Sequence, residues 1–348
     1  MKIQIIRSKS EDDSSKTGVG IYADLIEELI TDTGNETDVI PFEITIRKGI
    51  WYALRSGAID PLGKILAGRK DADIVHAVFE YCSVYFPFTR AKRVVTFHHV
   101  VGKDEKNSKK WFLTWRLAAW IAIVFADKIV AVSPQTKEEI LHKYNVAPEK
   151  VEVVIHVPKG LRVIDSVEKE HIIGCMGTIN KRKNFSAAIR VFASVSTDCE
   201  LRDYRMIICG KGPMKESLLE QIRFTGLEGK VSFIQDITKD EMALFYNKCS
   251  VILNTSSHEG LGLATVEAQM CGTPVLYFED ADIPKEVMVA AVSCINEEDM
   301  SEKAKKILKD QTRMEELIGE GLEFTNTLGN DFREKTLAIY NSLLDSSR

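Results

Sequence analysis

The sequence predicts two doubly wound α/β domains, each a parallel sheet with helices on both faces. Three observations carry this: short apolar runs alternate with longer amphipathic ones throughout, the alternation restarts once near the middle, and 348 residues suffice for two cores.

In the first half the predicted strands are Lys2–Arg7, Thr37–Phe42, Ile74–Ala77, Val94–Phe97, Lys128–Val132 and Val151–Ile155. Helical stretches intervene, such as 20–31, where Ile21, Leu25, Ile26, Leu29 and Ile30 form one stripe. The second series runs through Ile172–Met176, Met206–Cys209, Val231–Ile234, Val251–Asn254 and Pro274–Tyr277. Helices are predicted between them over Phe185–Ser196 and Met214–Thr225. The break falls at the polar stretch Pro158–Glu170, giving domains over 1–160 and 161–327. Residues 328–348 read as a separate C-terminal helix packing back on the first domain. In such folds ligands bind beyond the carboxyl ends of the strands, so the loops there matter most.

Composition narrows the function. Hydrophobic residues are 45% and charged residues 28%, an ordinary globular balance, and the net charge of −5 excludes a general nucleic-acid binder. Seven cysteines, an odd number with no Cys-x-x-Cys spacing, predict buried thiols in a reducing compartment rather than a disulfide framework or zinc site. Met1-Lys2 leads directly into Ile3-Gln4-Ile5-Ile6, with no room for a signal-peptide apolar region, so a cytoplasmic protein is expected.

The most informative run is Asn254 to Val275. A buried strand ends in a polar loop holding Glu259, Gly260 and Gly262; a helix begins near Leu263 and ends at Gly272, before Pro274 opens the next strand. Glycines admit close backbone approach, and a helix amino terminus attracts anions, a combination that suits a diphosphate. Glu267 lies one turn into that helix, where a carboxylate can accept hydrogen bonds from ribose hydroxyls. Glu259 on the loop is placed to hold a sugar hydroxyl.

This run resembles the signature of retaining GT-B glycosyltransferases of group 1, the family of glycogen synthase, sucrose synthase and phosphatidylinositol mannosyltransferase. Glu259 and Glu267, separated by seven residues, match its two acids, and Gly260, Gly262, Gly272, Thr273 and Pro274 match the surroundings. The resemblance implies the GT-B fold: two Rossmann-like domains facing a deep interdomain cleft, the first on the acceptor side and the second holding a nucleotide-sugar donor.

Other loops fit the same reading. After the strand Ile172–Met176 comes Gly177-Thr178-Ile179-Asn180-Lys181-Arg182-Lys183-Asn184, a basic loop able to neutralise a departing diphosphate. Lys183 matches the family lysine; Thr178 stands where arginine is common, leaving that contact to Arg182 or Lys181. Gly210, Lys211 and Gly212 form a further turn expected to touch the donor, and the loop with Ile237 is expected to border the base. With Leu263 and Ala264 at the helix tip, these complete the expected donor-binding set.

In the first domain Gly18-Val19-Gly20 resembles the family's glycine-rich loop. It half-matches a dinucleotide fingerprint, but ten residues, Ser8 to Thr17, separate it from the first strand, which weakens a nicotinamide reading. Thr96-Phe97-His98 matches the family's Thr-x-His, and the resemblance implies for His98 a contact to the donor sugar or support for the developing oxocarbenium charge. His98, Arg182, Lys183 and Glu259 are thus the expected catalytic residues. No Asp-x-Asp or His/Asp cluster stands ready for a metal, so neither metal nor other cofactor is expected beyond a UDP- or GDP-linked sugar as co-substrate.

The acceptor is hinted at by charge. Basic residues crowd 47–70 and 90–116, followed by the apolar run Trp111 to Ala126, which is too short to span a bilayer. That pattern suits a lipid-linked acceptor or an anionic membrane surface reached through residues 47–70 and 90–126, hence peripheral attachment to the cytoplasmic face; a core helix with a solvated basic face explains it equally. A nucleotide-sugar 2-epimerase, a phosphorylase-like enzyme and a non-catalytic sugar-nucleotide-binding subunit share the fold and stay open.

Overall fold

A computed structural model describes residues 1–8, 18–42, 60–67, 71–98, 109–158 and 160–345. Lys16, Thr17, residues 47–59 and 68–70 of the basic stretch, His99 and residues 100–108 lie outside the described residues. The chain divides into two units: Met1–His156 with Asn330–Arg348, and Val157–Gly329.

The first unit is built on six parallel strands: β1 (Lys2–Ser8), β2 (Glu36–Phe42), β3 (Ile74–Ala77), β4 (Lys92–Phe97), β5 (Lys128–Ala131) and β6 (Val151–Val153), in the order β2-β1-β3-β4-β5-β6. Both sheet faces are covered, which is why strands such as β3 are buried at every position. Helix α1 (Gly18–Asp32) buries Tyr22, Leu25, Ile26, Leu29 and Ile30, a single stripe at helical spacing. Each such side chain contributes about 1.5–3 kcal/mol on burial. Helices α2 (Asp60–Ala67), α3 (Lys109–Phe125) and α4 (Pro134–Tyr144) complete the layers. Local chemistry fixes the ends of α4: the Ser133 hydroxyl accepts from the Thr136 amide at 3.1 Å, Pro134 occupies the first turn, and Asn145 closes it at φ 48°.

Two polar devices lock this unit. Arg93 donates a two-pronged contact to Asp127, at 2.9 and 3.1 Å, tying β4 to the start of β5. Burial alone would raise the Asp127 carboxyl, but the Arg93 hydrogen bonds and charge hold it below the usual range. Deeper, Tyr340, His76, Thr96 and Tyr22 form a buried chain with oxygen or nitrogen separations of 2.6, 2.9 and 2.9 Å. Burial pushes His76 down to about 3, so it is a neutral link rather than a titrating group.

The second unit carries β7 (Ile172–Met176), β8 (Arg205–Cys209), β9 (Val231–Ile234), β10 (Val251–Asn254), β11 (Val275–Phe278) and β12 (Val292–Cys294), all parallel, in the order β12-β11-β10-β7-β8-β9. Helices α5 (Phe185–Val195), α6 (Lys215–Phe224), α7 (Lys239–Lys248), α8 (Leu263–Met270) and α9 (Glu297–Lys309) alternate with them. Ile173, Phe185, Phe192, Met206, Leu253 and Leu276 share one core cluster. Six cysteines are buried and Cys199 is exposed; all seven are free thiols.

The last helix, α10, runs unbroken from Gln311 to Asp345. The C-terminal helix expected over 328–348 is the last part of this longer one, whose apolar positions continue through 328 without a proline. Its Phe332, Ile339, Tyr340 and Leu343 pack with β1 and α1 in the first unit.

Candidate functional site

Strand order brings the key loops of the second unit together. Neighbouring strands β7 and β10 feed chain segments that leave in opposite directions along the sheet, β8 on one side and β11 on the other. At such a switch point the loops leaving the two strands diverge and leave room for a ligand. Here those loops are 177–184 and 255–262.

Glu259 joins them. Its carboxylate accepts from Lys183 Nζ at 2.5 Å and from the Ser256 hydroxyl at 2.7 Å, and Arg182 reaches the other oxygen. Arg182 also donates to the His258 carbonyl at 2.6 Å. The backbones are fastened as well: the Ser257 amide donates to the Arg182 carbonyl at 2.9 Å, and the Thr255 hydroxyl bridges the carbonyls of Lys183 and Asn184 at 2.9 and 3.0 Å. Lys183 and Glu259 are buried. Burial by itself would raise the Glu259 carboxyl, yet the Lys183 charge and hydrogen bond, with Ser256 and Arg182, hold it below its ordinary value. From behind, Asp282 steadies the acidic loop: its carbonyl accepts from the Glu259 amide at 2.9 Å and its carboxylate meets His258 Nδ1 at 2.9 Å.

Two glycines make the floor. Gly177, at φ 135°, lies under the Lys183 side chain; a Cβ there would come within 2.6 Å of Lys183 Cε. Gly210, at φ 149°, faces it so closely that a Cβ would meet the Gly177 carbonyl oxygen at 1.9 Å. The loops after β7 and β8 are therefore stacked backbone on backbone. Gly212 continues this contact beneath Ile179, and Lys211 pairs with Asp236 at 2.6 Å, both exposed. Thr178 is exposed and Ile237 half-buried.

Helix α8 opens at Gly262 in a left-handed conformation (φ 82°). Among the described residues the amides of Leu263 and Ala264, the first two of the helix, donate to nothing, whereas Thr265 N returns to the Gly262 carbonyl at 2.9 Å. Glu267 is buried and accepts from the Tyr246 hydroxyl at 2.8 Å. Burial raises its carboxyl above the ordinary value, against the Tyr246 hydrogen bond and the Lys183 charge. Tyr246 is presented by α7, which begins with a reciprocal cap between Thr238 and Glu241.

Known proteins resemble the chain in sequence and in fold. Residues 160–323 match the family model described as Glycosyl transferases group 1, and residues 29–156 match Glycosyltransferase Family 4. Residues 160–323 thus belong to the group 1 glycosyltransferases. It is 28% identical over 173 residues to the O-antigen chain mannosyltransferase RfbU of Salmonella typhimurium, covering 49% of this chain and 47% of that protein. It is 26% identical over 156 residues to the N-acetylgalactosamine-N,N'-diacetylbacillosaminyl-diphospho-undecaprenol 4-alpha-N-acetylgalactosaminyltransferase of Campylobacter jejuni, covering 43% and 41%. The aligned region thus spans less than half the length of either relative. In fold it is similar to Anabaena HepE in complex with UDP, with TM-score 0.68 and 15% identity over 97% of this chain and 100% of that one. It is also similar to WaaG, a glycosyltransferase involved in lipopolysaccharide biosynthesis, with TM-score 0.69 and 13% identity over 98% and 99%.

Of the residues expected from the group 1 resemblance, Arg182, Lys183 and Glu259 meet in one ion cluster. Gly177, Gly210 and Gly212 form the stacked loops beside it. Gly260 is exposed on the acidic loop, and Gly262, Leu263, Ala264 and Glu267 belong to the start of α8. His98 and Gly18 belong to the first unit. His98 Nε2 lies 3.0 Å from the Val78 carbonyl, and its ring meets Tyr22 edge-on at 5.1 Å; Gly18 opens α1. Sequence reasoning gave no role to Ser256, Tyr246 or Asp282. Only Ser256, three residues before Glu259, left a local signal.

Proposed function

We propose that this group 1 family member is a retaining glycosyltransferase that moves a hexosyl group from a UDP- or GDP-linked sugar to a hydroxyl acceptor. The observation that carries the reading is the cluster of Arg182, Lys183 and Glu259, beside the open amides of α8. In this reading the diphosphate rests on the Leu263 and Ala264 amides, and Glu267 receives a ribose hydroxyl. Gly210, Lys211 and Ile237 border the nucleotide. Glu259 takes a sugar hydroxyl while keeping Lys183 and Arg182 in register. The bond between the anomeric carbon and the β-phosphate oxygen breaks, and the two cations stabilise the charge growing on that oxygen. The acceptor oxygen bonds to the same face of the anomeric carbon, and its proton passes to the departing phosphate. His98 contacts the donor sugar. The two cations supply the charge that a divalent metal would otherwise bring, so transfer should survive chelation.

The acceptor is proposed to be lipid-linked, with the protein peripheral on the cytoplasmic membrane face. Supporting this, α3 exposes Leu117, Trp120 and Val124 beside the exposed Arg116. No described helix is long and apolar enough to cross a membrane. Replacing Leu117 and Trp120 with Ser should lower binding to vesicles containing anionic lipid, as read by cosedimentation.

Calorimetric titration with UDP-, GDP- and ADP-sugars against NAD tests the donor. Glu267→Ala should weaken the preferred donor, and unchanged affinity would remove the ribose assignment. Lys183→Ala should slow transfer by about 10²–10³-fold. The anomeric configuration of the product, read by NMR, decides retention.

A further inference from the structure

A cavity of about 330 Å³ opens in the second unit at the carboxyl ends of β10, β11 and β12, between the starts of α5 and α9. Its lining adjoins the ion cluster. Thr255, Ser256, Ser257 and Asn184 line it, and the first three bond Glu259 and the carbonyls of Arg182, Lys183 and Asn184. The remaining lining includes Phe278, Asp280, Asn296 and Glu297.

This lining selects among ligand classes. It offers carboxylates, carboxamides and hydroxyls, and no lysine, arginine or histidine. The Arg190 guanidinium is taken by Glu297, with contacts of 2.6 and 2.8 Å. An anion would meet the Asp280 carboxylate and no free cation in the lining, Glu297 being neutralised by Arg190, which disfavours phosphates and nucleotides. A polyhydroxylated neutral ring suits the set. Its hydroxyls can donate to Asp280 and accept from the Asn184 amide, which does not cap α5, while its C–H face lies on Phe278. The volume is that of a small-ligand pocket.

We propose that this cavity is a saccharide subsite, separate from the donor site and sharing the wall formed by Thr255, Ser256 and Ser257. Its occupant is a neutral sugar unit, and a bound sugar braces the wall from which Glu259 and Lys183 are held. The proposal does not depend on the transfer reaction, because it concerns binding alone.

The test is saturation-transfer NMR and calorimetry on the whole protein. The probes are methyl glycosides of glucose, galactose, mannose and N-acetylglucosamine, with glucose 1-phosphate as the charged comparison and UDP titrated separately. At least one methyl glycoside should bind. Asp280→Ala, an exposed substitution, should weaken it about tenfold, and Ala281→Trp, which fills the cavity, should abolish it, both leaving UDP affinity unchanged. Absence of any glycoside binding to the wild-type protein would overturn the proposal, as would binding unaffected by both variants or stronger binding of glucose 1-phosphate. Failure of UDP to bind would undo the donor reading and leave this result standing.

Discussion

Lys183 and Glu259 are a buried pair in which each partner makes the other tolerable, so removing one is costly. Glu259→Ala strands the Lys183 ammonium at a site only 9% exposed, with Arg182 close by. Loss of about 3–5 kcal/mol is expected in urea denaturation, whereas Glu259→Gln, which keeps hydrogen bonds to Ser256, should lose less. Gly210 makes a second, steric prediction. With φ at 149° and the Gly177 oxygen 1.9 Å from a built Cβ, Gly210→Ala should cost about 3 kcal/mol. Gly226→Ala, where φ is 68° but space is open, should cost only about 1–2 kcal/mol. Glu267 gives a pH signature of the opposite sign to a salt-bridged acid. Its carboxyl is raised in the fold, so the native protein binds the extra proton. Its contribution to stability is therefore greatest below the ordinary glutamate value and is lost as pH rises through the raised one. Glu267→Gln should flatten that decline in denaturation midpoints measured from about pH 4 to 8.

Among the elements, those with strong periodicity or a decisive loop were readable from residues alone. Strands Ile74–Ala77, Ile172–Met176, Val231–Ile234 and Val251–Asn254 have the bounds that their apolar runs predict. Strand β12, Val292–Cys294, escaped notice because three residues carry no period, and the turn Glu80–Phe88 is too aromatic to separate from a helix or strand. Lys183 meeting Glu259 was foreshadowed by the loops but not by any spacing, since 76 residues divide them. Only the β7–β10 adjacency makes them neighbours. Tyr246 under Glu267 was invisible for the same reason: it reads as an ordinary core aromatic of an amphipathic helix. Within α10, Gly319 has open space around a built Cβ. Gly319→Ala should raise stability by about 0.5–1 kcal/mol, seen as a higher Tm, because alanine loses less backbone entropy in a helix.

The molecule is divided unequally along its sequence. One unit is a single stretch, Val157–Gly329, with its own core and every expected donor-binding residue except Gly18. Expressed alone, that stretch should fold and keep UDP affinity within a few-fold of the full chain; an unfolded fragment by circular dichroism would refute this. The other unit is assembled from both ends of the chain, Met1–His156 and Asn330–Arg348. Tyr340, whose hydroxyl lies 2.6 Å from His76 Nδ1, stands 264 positions after it in the sequence. The unit begun first is thus completed last: α1 already covers part of one sheet face, but Phe332, Ile339, Tyr340 and Leu343 reach it only after the whole of the other unit has been made.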